Sequence, residues 1–306
     1  MTTYFKYMPL RMEFFDDPLL RLTPPSQLND PFDAKPSNAA IQKKSSFFCD
    51  IEWEEDNKAE IDEHYKTSLE SGLEDFGVIS LTEDPYNLLM WSHYADEHKG
   101  IVLRINANES TFEYRSDSLL KCGISRFTPE RVIYSNRRPG IEMPESAIYD
   151  YFEDSFFSHI AMTKGDSWIY EKEHRYLLRL KQADVVICNS NMQELEKINK
   201  SGKIHITQLD AGKVKIEPIA SFKNSFVFWL AMAEGNGIVK NVMYFKRLNA
   251  SSITGIYIGC KVNNQSVAHI IDKINKSEKF NHGIPIFKSK INPDRFEIDF
   301  ITMSTN

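Results

Sequence analysis

The chain has few cysteines, and their placement fits neither a disulfide framework nor a zinc site. Its 306 residues include four, Cys49, Cys122, Cys188 and Cys260. They are far apart, no Cys-x-x-Cys pair occurs, and no histidine spacing completes a zinc set. We therefore expect no metal centre and four reduced thiols, most of them buried.

Several catalytic motifs are also missing. The chain has no phosphate loop with Gly-Lys-Ser/Thr, no Gly-x-Gly-x-x-Gly, no His-Glu-x-x-His and no Gly-x-Ser-x-Gly. These motifs mark the common nucleotide hydrolases, dehydrogenases, zinc proteases and α/β-hydrolases. None of those four classes gains support from the sequence.

Long apolar runs and a leader pattern are likewise absent. No run approaches the roughly 18 to 20 apolar residues of a membrane span, and the start MTTYFKYMPLR lacks the regions of a signal peptide. We expect a cytoplasmic protein without membrane association. The net charge of −6 argues against attraction of the whole surface to nucleic acid, although a local basic groove would not show in that total.

The composition that remains is that of a globular protein. With 42% hydrophobic and 26% charged residues, the chain can bury a sizeable core. No internal repeat or long Pro/Gly/Ser linker marks a boundary. We predict an α+β fold with a mixed or antiparallel β core and flanking helices. It forms a single domain of residues 1–306, with residues 205–306 as a candidate C-terminal subdomain.

Two segments have helical spacing, one from about residue 51 to 73 and one from 147 to 162. Apolar residues recur there at every fourth position: Ile61, Tyr65, Leu69 and Leu73 in the first, and Ile148, Phe152, Phe156 and Ile160 in the second.

The stretch from Phe76 to Arg104 carries more polar groups able to act on a substrate than any other. It reads as a strand ending in Ser80-Leu81-Thr82, a turn in which Asp84-Pro85 begins a short helix, and a second strand from Ile101. Ser80 and Thr82 share a face, where they can bind a ligand or cap the turn.

The short helix of that stretch carries three candidate side chains, each with a structural alternative. His93 is more often a hydrogen-bonded structural histidine than a catalyst, and Trp91 fits a core position. Tyr94 is the third candidate.

The loop from Thr23 to Asp33 holds three prolines and is therefore stiff. Asn29, Asp30 and Asp33 can hydrogen-bond to loop amides. The sequence leaves two alternatives, a connector built from such turns and a loop that lines a substrate site.

A second dense cluster runs from Lys164 to Arg175. Glu171, Glu173 and Arg175 alternate along a predicted strand, so their side chains share one face. If partly buried, the two carboxylates would have pKa values pushed apart, as acid/base work requires. The alternative is an exposed face of an edge strand. Trp168 and Tyr170 upstream can form an aromatic wall.

Five blocks of the sequence resemble the bacterial domain-of-unknown-function family 2971. They are Tyr4-Phe5-Lys6-Tyr7, the block from Pro25 to Asp33, Ser80-Leu81-Thr82-Glu83-Asp84, Leu89 to Ala95 with Gly100, and Trp168-x-Tyr170-Glu171-x-Glu173-x-Arg175. The resemblance covers most of the chain to about residue 180 and implies no activity by itself.

The chain also resembles, more distantly, ADP-ribosyltransferases of the Arg-Ser-Glu type. Lys6 or Arg11, then Ser80-Leu81-Thr82, then Glu171-Lys172-Glu173 follow the order of that family's cationic, Ser-x-Ser/Thr and Glu-x-Glu segments. The resemblance implies a split β-sandwich and NAD as the substrate. The first position departs from it, since Lys6 or Tyr7 replaces the usual Arg or His.

The same resemblance implies roles for several of the candidate residues. Glu173 would stabilise the positive charge that develops on the ribose, and Glu171 would orient or deprotonate the acceptor. Tyr94 or Trp91 would stack on nicotinamide, and Lys6 would hold pyrophosphate. The full set of candidate NAD-binding residues is Lys6, Tyr7, Asn29, Asp30, Ser80, Thr82, Trp91, His93, Tyr94 and Arg175.

Two functions of different class follow. The first is an NAD-dependent ADP-ribosyltransferase acting as a toxin or effector in bacterial defence, with a protein or nucleic-acid acceptor and an antitoxin or regulatory partner. The second is a non-catalytic module that binds a nucleotide or a partner in such a system.

Overall fold

A computed structural model gives the structure of most of the chain. It describes residues 2–52, 58–113, 128–140, 142–148, 154–210, 212–280 and 283–303, without the side chains of 47–52, 58–62, 64, 65 and 224. Cys122 and the side chain of Cys49 lie outside this part. Within it, Cys188 is buried and Cys260 partly exposed, and both are free thiols.

Fifteen strands are found in the described residues. They are β1 (Thr2–Met8), β2 (Leu19–Leu22), β3 (Phe76–Thr82), β4 (Ile101–Ala107), β5 (Glu130–Arg131), β6 (Ile133–Ser135), β7 (Thr163–Gly165), β8 (Glu173–Arg179), β9 (Val185–Ser190), β10 (Ile204–Gln208), β11 (Lys213–Pro218), β12 (Val239–Arg247), β13 (Ile253–Ile258), β14 (Ile286–Ile291) and β15 (Ile298–Met303).

Eight α-helices accompany them in the same part of the chain. They are α1 (Asn38–Glu52), α2 (Lys58–Glu74), α3 (Leu88–Tyr94), α4 (Glu145–Ile148), α5 (Asp154–Ala161), α6 (Met192–Ile198), α7 (Lys223–Gly235) and α8 (Asn264–Lys276). Short 3₁₀ helices span Met12–Phe15, Pro25–Gln27, Asp166–Glu171, Leu180–Gln182, Ala220–Phe222, Ala250–Ser252 and Glu278–Phe280.

The strands form two large sheets and one small one. The first has eight strands in the order β15-β14-β13-β4-β1-β3-β8-β5 and is antiparallel except between β13 and β14. The second has five antiparallel strands in the order β10-β11-β9-β12-β2, and β6 pairs with β7 in parallel. The predicted α+β class with a mixed, largely antiparallel core is confirmed. Strands that follow residue 205 occur in both large sheets beside strands that precede it.

In the eight-stranded sheet, the pairing between β1 and β3 is interrupted. These two strands share a single pair of facing residues, Phe5 and Thr82, whereas β1 faces β4 and β3 faces β8 at seven positions each. The free edge of β3 is used instead by Thr23, directly after β2, which pairs with Val78. The two large sheets therefore meet beside a gap in the ladder of the first.

Alternation along β3 assigns its two faces. Ile79 and Leu81 are buried in the largest core cluster, with Leu22 of β2 and Ile270 of α8. Ser80 therefore points to the opposite face, as does Thr82. In the register between β3 and β8, these two residues lie opposite Arg175 and Glu173, so four polar side chains share that face.

The helices agree only in part with the sequence pattern. The helix expected from about 51 to 73 corresponds to α2, with Leu69 and Leu73 buried, while α1 was not predicted. The helix expected from 147 to 162 corresponds to α4 and α5. Residues 149–153 and the side chains of Ile61 and Tyr65 lie outside the described part of the chain.

The cap of α3 is a correction. Asn87 caps this helix, because its Oδ1 accepts the backbone N–H groups of Leu89 and Met90. Asp84 instead accepts the N–H of Tyr86 in the preceding turn. The expectation that Asp84-Pro85 begins the helix is wrong, since the chain makes a further turn first.

No helix in the described ranges is long and apolar enough to cross a membrane.

Gly100 joins α3 to β4 at a point of close approach. A Cβ built there would lie 2.3 Å from the backbone oxygen of Met8 and 2.8 Å from that of Ala95. Both neighbours are main-chain atoms and cannot rotate away. Gly235, at the end of α7, has nothing within 4 Å of its built Cβ.

We predict that Gly100→Ala lowers the free energy of unfolding by about 2 kcal/mol or more, because the added methyl group overlaps backbone. Gly235→Ala is the matched control and should leave that free energy unchanged or raise it slightly. Urea unfolding followed by circular dichroism measures both variants. Equal stability of the two would contradict the close approach at Gly100.

Candidate functional site

A cavity of about 240 Å³ lies beside the gap between β1 and β3. Its walls come from these two strands, from residues 21–33, from α3, and from β7, β8 and the 3₁₀ helix between them. Elements distant in sequence thus meet at one place. Nine of the twelve predicted site residues line the cavity: Lys6, Tyr7, Asn29, Ser80, Thr82, Tyr94, Glu171, Glu173 and Arg175.

Arg175 is the centre of a buried set of ion pairs at the cavity. Its Nε donates to Glu173 Oε1 at 2.8 Å and its Nη2 to Glu173 Oε2 at 3.0 Å. The same guanidinium binds both carboxylate oxygens of Asp33, at 2.8 and 2.5 Å, and the carbonyl of Ala161. Since Arg175 is 1% exposed, these contacts replace the water that its charge would otherwise bind.

Lys164 on β7 completes the set. Its Nζ donates to Glu171 Oε2 at 2.6 Å and to Glu173 Oε2 at 3.0 Å, and lies 3.9 Å from Asp33 Oδ2. It also lies 4.9 Å from the centre of the Trp168 ring. We call Asp33, Lys164, Glu171, Glu173 and Arg175 the ion cluster. It contains three carboxylates and two cations.

The backbone brings Glu171 to this cluster in an unexpected way. Glu171 ends the 3₁₀ helix Asp166–Glu171, and Lys172 is left-handed with φ of 46°, so only Glu173 lies on the strand. The two carboxylates therefore converge through a turn and not through strand alternation. The alternative of an exposed edge strand is also wrong, because Glu171 and Glu173 are each 3% exposed and β8 has neighbours on both sides.

A chain of hydrogen bonds connects α3 and the loop to Glu171. Asn29 Nδ2 donates to Tyr94 Oη at 2.9 Å, and that hydroxyl donates to Glu171 Oε1 at 2.5 Å. Asn87 Nδ2 donates to the carbonyl of Tyr170 at 2.8 Å, which ties the start of α3 to the same 3₁₀ helix. Burial, followed by the charge of Glu171, raises the pKa of Tyr94, so its hydroxyl remains a donor.

The two glutamates have pKa values shifted in opposite directions. Burial raises the pKa of Glu171 and outweighs the opposing effect of Lys164. Burial acts in the same direction on Glu173, but Arg175 and Lys164 outweigh it and lower the pKa of Glu173 to about 2. Glu173 is therefore ionised at every ordinary pH, while Glu171 is the member of the pair that takes up a proton more readily.

The hydroxyl groups of β3 take different positions. Thr82 Oγ1 donates to the carbonyl of Glu171 at 2.6 Å, which fixes the end of the 3₁₀ helix. Ser80 lies beside Glu173. Burial, Arg175 and Lys164 have the largest effects on the pKa of Glu173, and the hydrogen bond with Ser80 lowers it further. Ser80 is only partly buried and Thr82 is fully buried, so the hydroxyl of Ser80 is the more accessible of the two.

Two cations line the cavity without a carboxylate partner in the described residues. Lys6 Nζ donates to the carbonyl of Ser80 at 2.8 Å, and burial lowers the pKa of Lys6 to about 8 despite the attraction of Glu173 and Glu171. Arg21 donates from Nη2 to Gln27 at 2.5 Å, and its Nε is buried with no hydrogen-bond partner. A lysine without a carboxylate partner and a buried guanidinium nitrogen without a hydrogen-bond partner both favour an anionic ligand.

Three predicted site residues are not brought to the cavity. Trp91 is fully buried between Tyr7 and Phe300 and donates from Nε1 to the carbonyl of Pro85. Asp30 is buried and accepts the N–H of Phe32. His93 is exposed beside Tyr94.

Three charged residues that line the cavity are absent from the site residues predicted from the sequence. Lys164 lies seven residues before Glu171 on a strand of three residues, and that spacing predicts no contact. Asp33 was recognised as part of the stiff loop but not as the partner of Arg175. Arg21 lies on β2 with no motif around it.

No group of three or more His, Cys, Asp or Glu side chains in the described part of the chain is arranged to hold a metal ion.

Comparison with known proteins identifies one part of the chain. Residues 90–176 match the family described as "Protein of unknown function (DUF2971)". The predicted resemblance is confirmed over this range, which contains Tyr94 and four members of the ion cluster, while the blocks near residues 4–7, 25–33 and 80–84 precede it. No curated protein and no solved structure matches the chain.

We predict that Glu173→Gln and Glu171→Gln affect stability in different ways. Removing the charge of Glu173 leaves Arg175 and Lys164 short of a buried partner, and should lower the free energy of unfolding by about 3 kcal/mol at pH 7. Burial raises the pKa of Glu171, so its ionisation opposes folding, and a neutral glutamine there should leave stability unchanged or slightly higher.

The pH dependence provides the control. The folded-state pKa of Glu173 is below its ordinary value of 4.5, so its contribution is present above about pH 4.5 and lost as the pH falls towards 2. The difference between wild type and Glu173→Gln in urea unfolding should shrink over that interval. A difference independent of pH would show that Glu173 does not act through its charge.

Proposed function

We propose that the protein is an NAD-consuming ADP-ribosyltransferase whose substrate binds in the cavity beside β1 and β3. The observation that carries the proposal is the pair Glu171 and Glu173, two buried carboxylates in one cavity with pKa values shifted in opposite directions. Such a pair supplies one permanently ionised group and one group that exchanges a proton.

The charges along the cavity complement those of NAD. The nicotinamide ring of NAD carries a positive charge and its diphosphate carries negative charges. The ion cluster has one more carboxylate than cations when Glu171 is ionised, so this excess of negative charge suits the nicotinamide riboside. Lys6 and Arg21, which lack carboxylate partners in the described residues, suit the diphosphate.

The bond between ribose C1′ and the nicotinamide nitrogen would break with its electron pair moving to nicotinamide, which leaves as a neutral molecule. Positive charge then develops on the ribose. We assign the stabilisation of this charge to Glu171, because Glu173 is already neutralised by Arg175 and Lys164. The acceptor forms a bond to C1′ and releases its proton to Glu171.

The neighbouring residues hold this arrangement. The Thr82 hydroxyl positions Glu171 by donating to the backbone carbonyl of Glu171. Tyr94 orients the Glu171 carboxylate. The Tyr94 ring lines the cavity and can stack on nicotinamide. Glu173, held by Arg175, serves as the anchor of the floor and not as the group closest to the ribose.

We further propose that the transferase acts as a toxin or effector in bacterial defence, on a protein or nucleic-acid acceptor and under an antitoxin or regulator. The alternative is a nucleotide-binding module without catalysis. The pairing of every cluster carboxylate with a cation supports that alternative, because binding needs no proton exchange. Turnover of NAD distinguishes the two.

Purified protein incubated with NAD and a bacterial lysate should release nicotinamide, measured by chromatography. Glu171→Gln should lower the rate about 100-fold or more, because the carboxylate that faces the developing charge is gone. Glu70→Gln, an exposed change on α2, is the matched control and should retain full activity. Absence of nicotinamide release by the wild type with every acceptor fraction would refute the transferase.

Tyr94→Phe should shift the pH dependence of that rate. Burial raises the pKa of Glu171, and the hydrogen bond from Tyr94 is one of the effects that oppose this rise. Without the hydroxyl the pKa of Glu171 rises further, so the acid limb of the profile of rate against pH moves to higher pH. Tyr86→Phe, at an exposed tyrosine outside the cavity, should leave the profile in place. An unshifted limb in Tyr94→Phe would exclude Glu171 as the titrating group.

A further inference from the structure

A second groove lies next to the cavity. It has a volume of about 390 Å³, and Arg21 and Gln27 line both spaces. Its other polar walls are Asn189, Lys213 and Asn241, from three strands of the five-stranded sheet. The hydrogen bond between Arg21 and Gln27 therefore forms a shared boundary between the two.

The groove is cationic, although the chain as a whole is acidic. Lys213 of β11 and Lys240 of β12 each face Asn189 of β9, from opposite sides. Residues that face each other in register point to the same side of a sheet, so the two lysines flank one asparagine. Lys213 lines the groove together with Arg21, and Lys240 lies beside it on the strand that carries Asn241. Both lysines are exposed, and neither forms an ion pair within the described ranges. No described carboxylate lines the groove.

A bulge in β12 shapes the wall of this groove. The register between β12 and β9 shifts between Lys240 and Met243. Asn241, within the bulge, is left-handed with φ of 53°. A bulge re-aims side chains at the cost of ladder hydrogen bonds, and bulges are common beside functional sites. Here it lies beside the unpaired lysines.

We propose that this groove binds the adenosine-phosphate half of NAD, with the diphosphate at the boundary formed by Arg21. The inference rests on the proposed function, which places the nicotinamide riboside in the first cavity. Pockets for drug-sized ligands measure roughly 300 to 1,000 Å³. The first cavity, at about 240 Å³, is smaller than that range, and a dinucleotide requires the adjoining groove.

The chemistry of the groove favours this occupant. Arg21 and Lys213 supply positive charge for phosphate, and the amides of Gln27, Asn189 and Asn241 supply paired donors and acceptors of the kind that read a purine edge. The backbone of a nucleic acid is the other source of phosphate. Only two cations line the groove, and the chain has a net charge of −6, so a nucleic acid is the weaker candidate.

Binding of AMP and of nicotinamide riboside to the full-length protein, measured by calorimetry, tests the proposal. The variant Lys213→Glu with Lys240→Glu should weaken AMP binding at least 10-fold and leave nicotinamide riboside binding unchanged. The matched control is Lys197→Glu with Lys200→Glu, which makes the same change of charge at two exposed lysines outside both spaces. Its AMP affinity should stay within about twofold, and circular dichroism checks that both variants fold.

The proposal is overturned if wild type does not bind AMP, if both double variants bind it equally, or if the groove variant loses affinity for an RNA oligonucleotide but not for AMP. AMP binding with the expected loss, in a protein that releases no nicotinamide, would leave the groove as a nucleotide site and remove the transferase function. If the groove variant releases nicotinamide with an unchanged KM for NAD, the groove does not bind NAD, while the proposed transferase function stands.

Discussion

The site depends on the buried ion pairs between Arg175, Lys164 and three carboxylates. Each of the five residues is at most 5% exposed. Burial therefore costs each charge several kcal/mol of hydration, and the ion pairs offset that cost. The cluster draws together four segments, namely the loop with Asp33, β7, the 3₁₀ helix that ends at Glu171, and β8. Removing the charge of Glu173 leaves Arg175 and Lys164 buried with too few partners, so the floor of the cavity depends on this ion pairing.

The sparse pairing between β1 and β3 explains how a cavity exists in the middle of a sheet. Between β1 and β3 the backbone ladder consists of one facing pair, and the groups that would have bonded across the gap need other partners. Lys6 of β1 satisfies the Ser80 carbonyl of β3 through its side chain. A side-chain hydrogen bond thus takes the place of a backbone hydrogen bond between the two strands. The space that a continuous sheet would fill remains open to a ligand.

The sequence allowed the α+β class and half of the cavity lining to be predicted, for identifiable reasons. Alternation places Glu173 and Arg175 on one face, and the strand ending at Thr82 places Ser80 opposite them. The contact of Lys164 with Glu171 could not be predicted, because it depends on a left-handed Lys172 and on burial that no local pattern encodes. Trp91 and His93 illustrate the converse, since residues crowded in sequence are divided by a helix between core and solvent.

Charge compensation is uneven across the site, and that unevenness has a physical meaning. Glu173 is held by two cations, so its charge is used in folding and is a poor source of stabilisation for a new positive charge. Glu171 shares Lys164 and otherwise has a neutral phenol, so its charge is the least compensated in the cluster. Lys6 and Arg21 stand close to these carboxylates without pairing with them. A fold selected for stability alone would have paired these groups. Cations without carboxylate partners, beside buried carboxylates in one cavity, are instead typical of a site that binds a charged ligand.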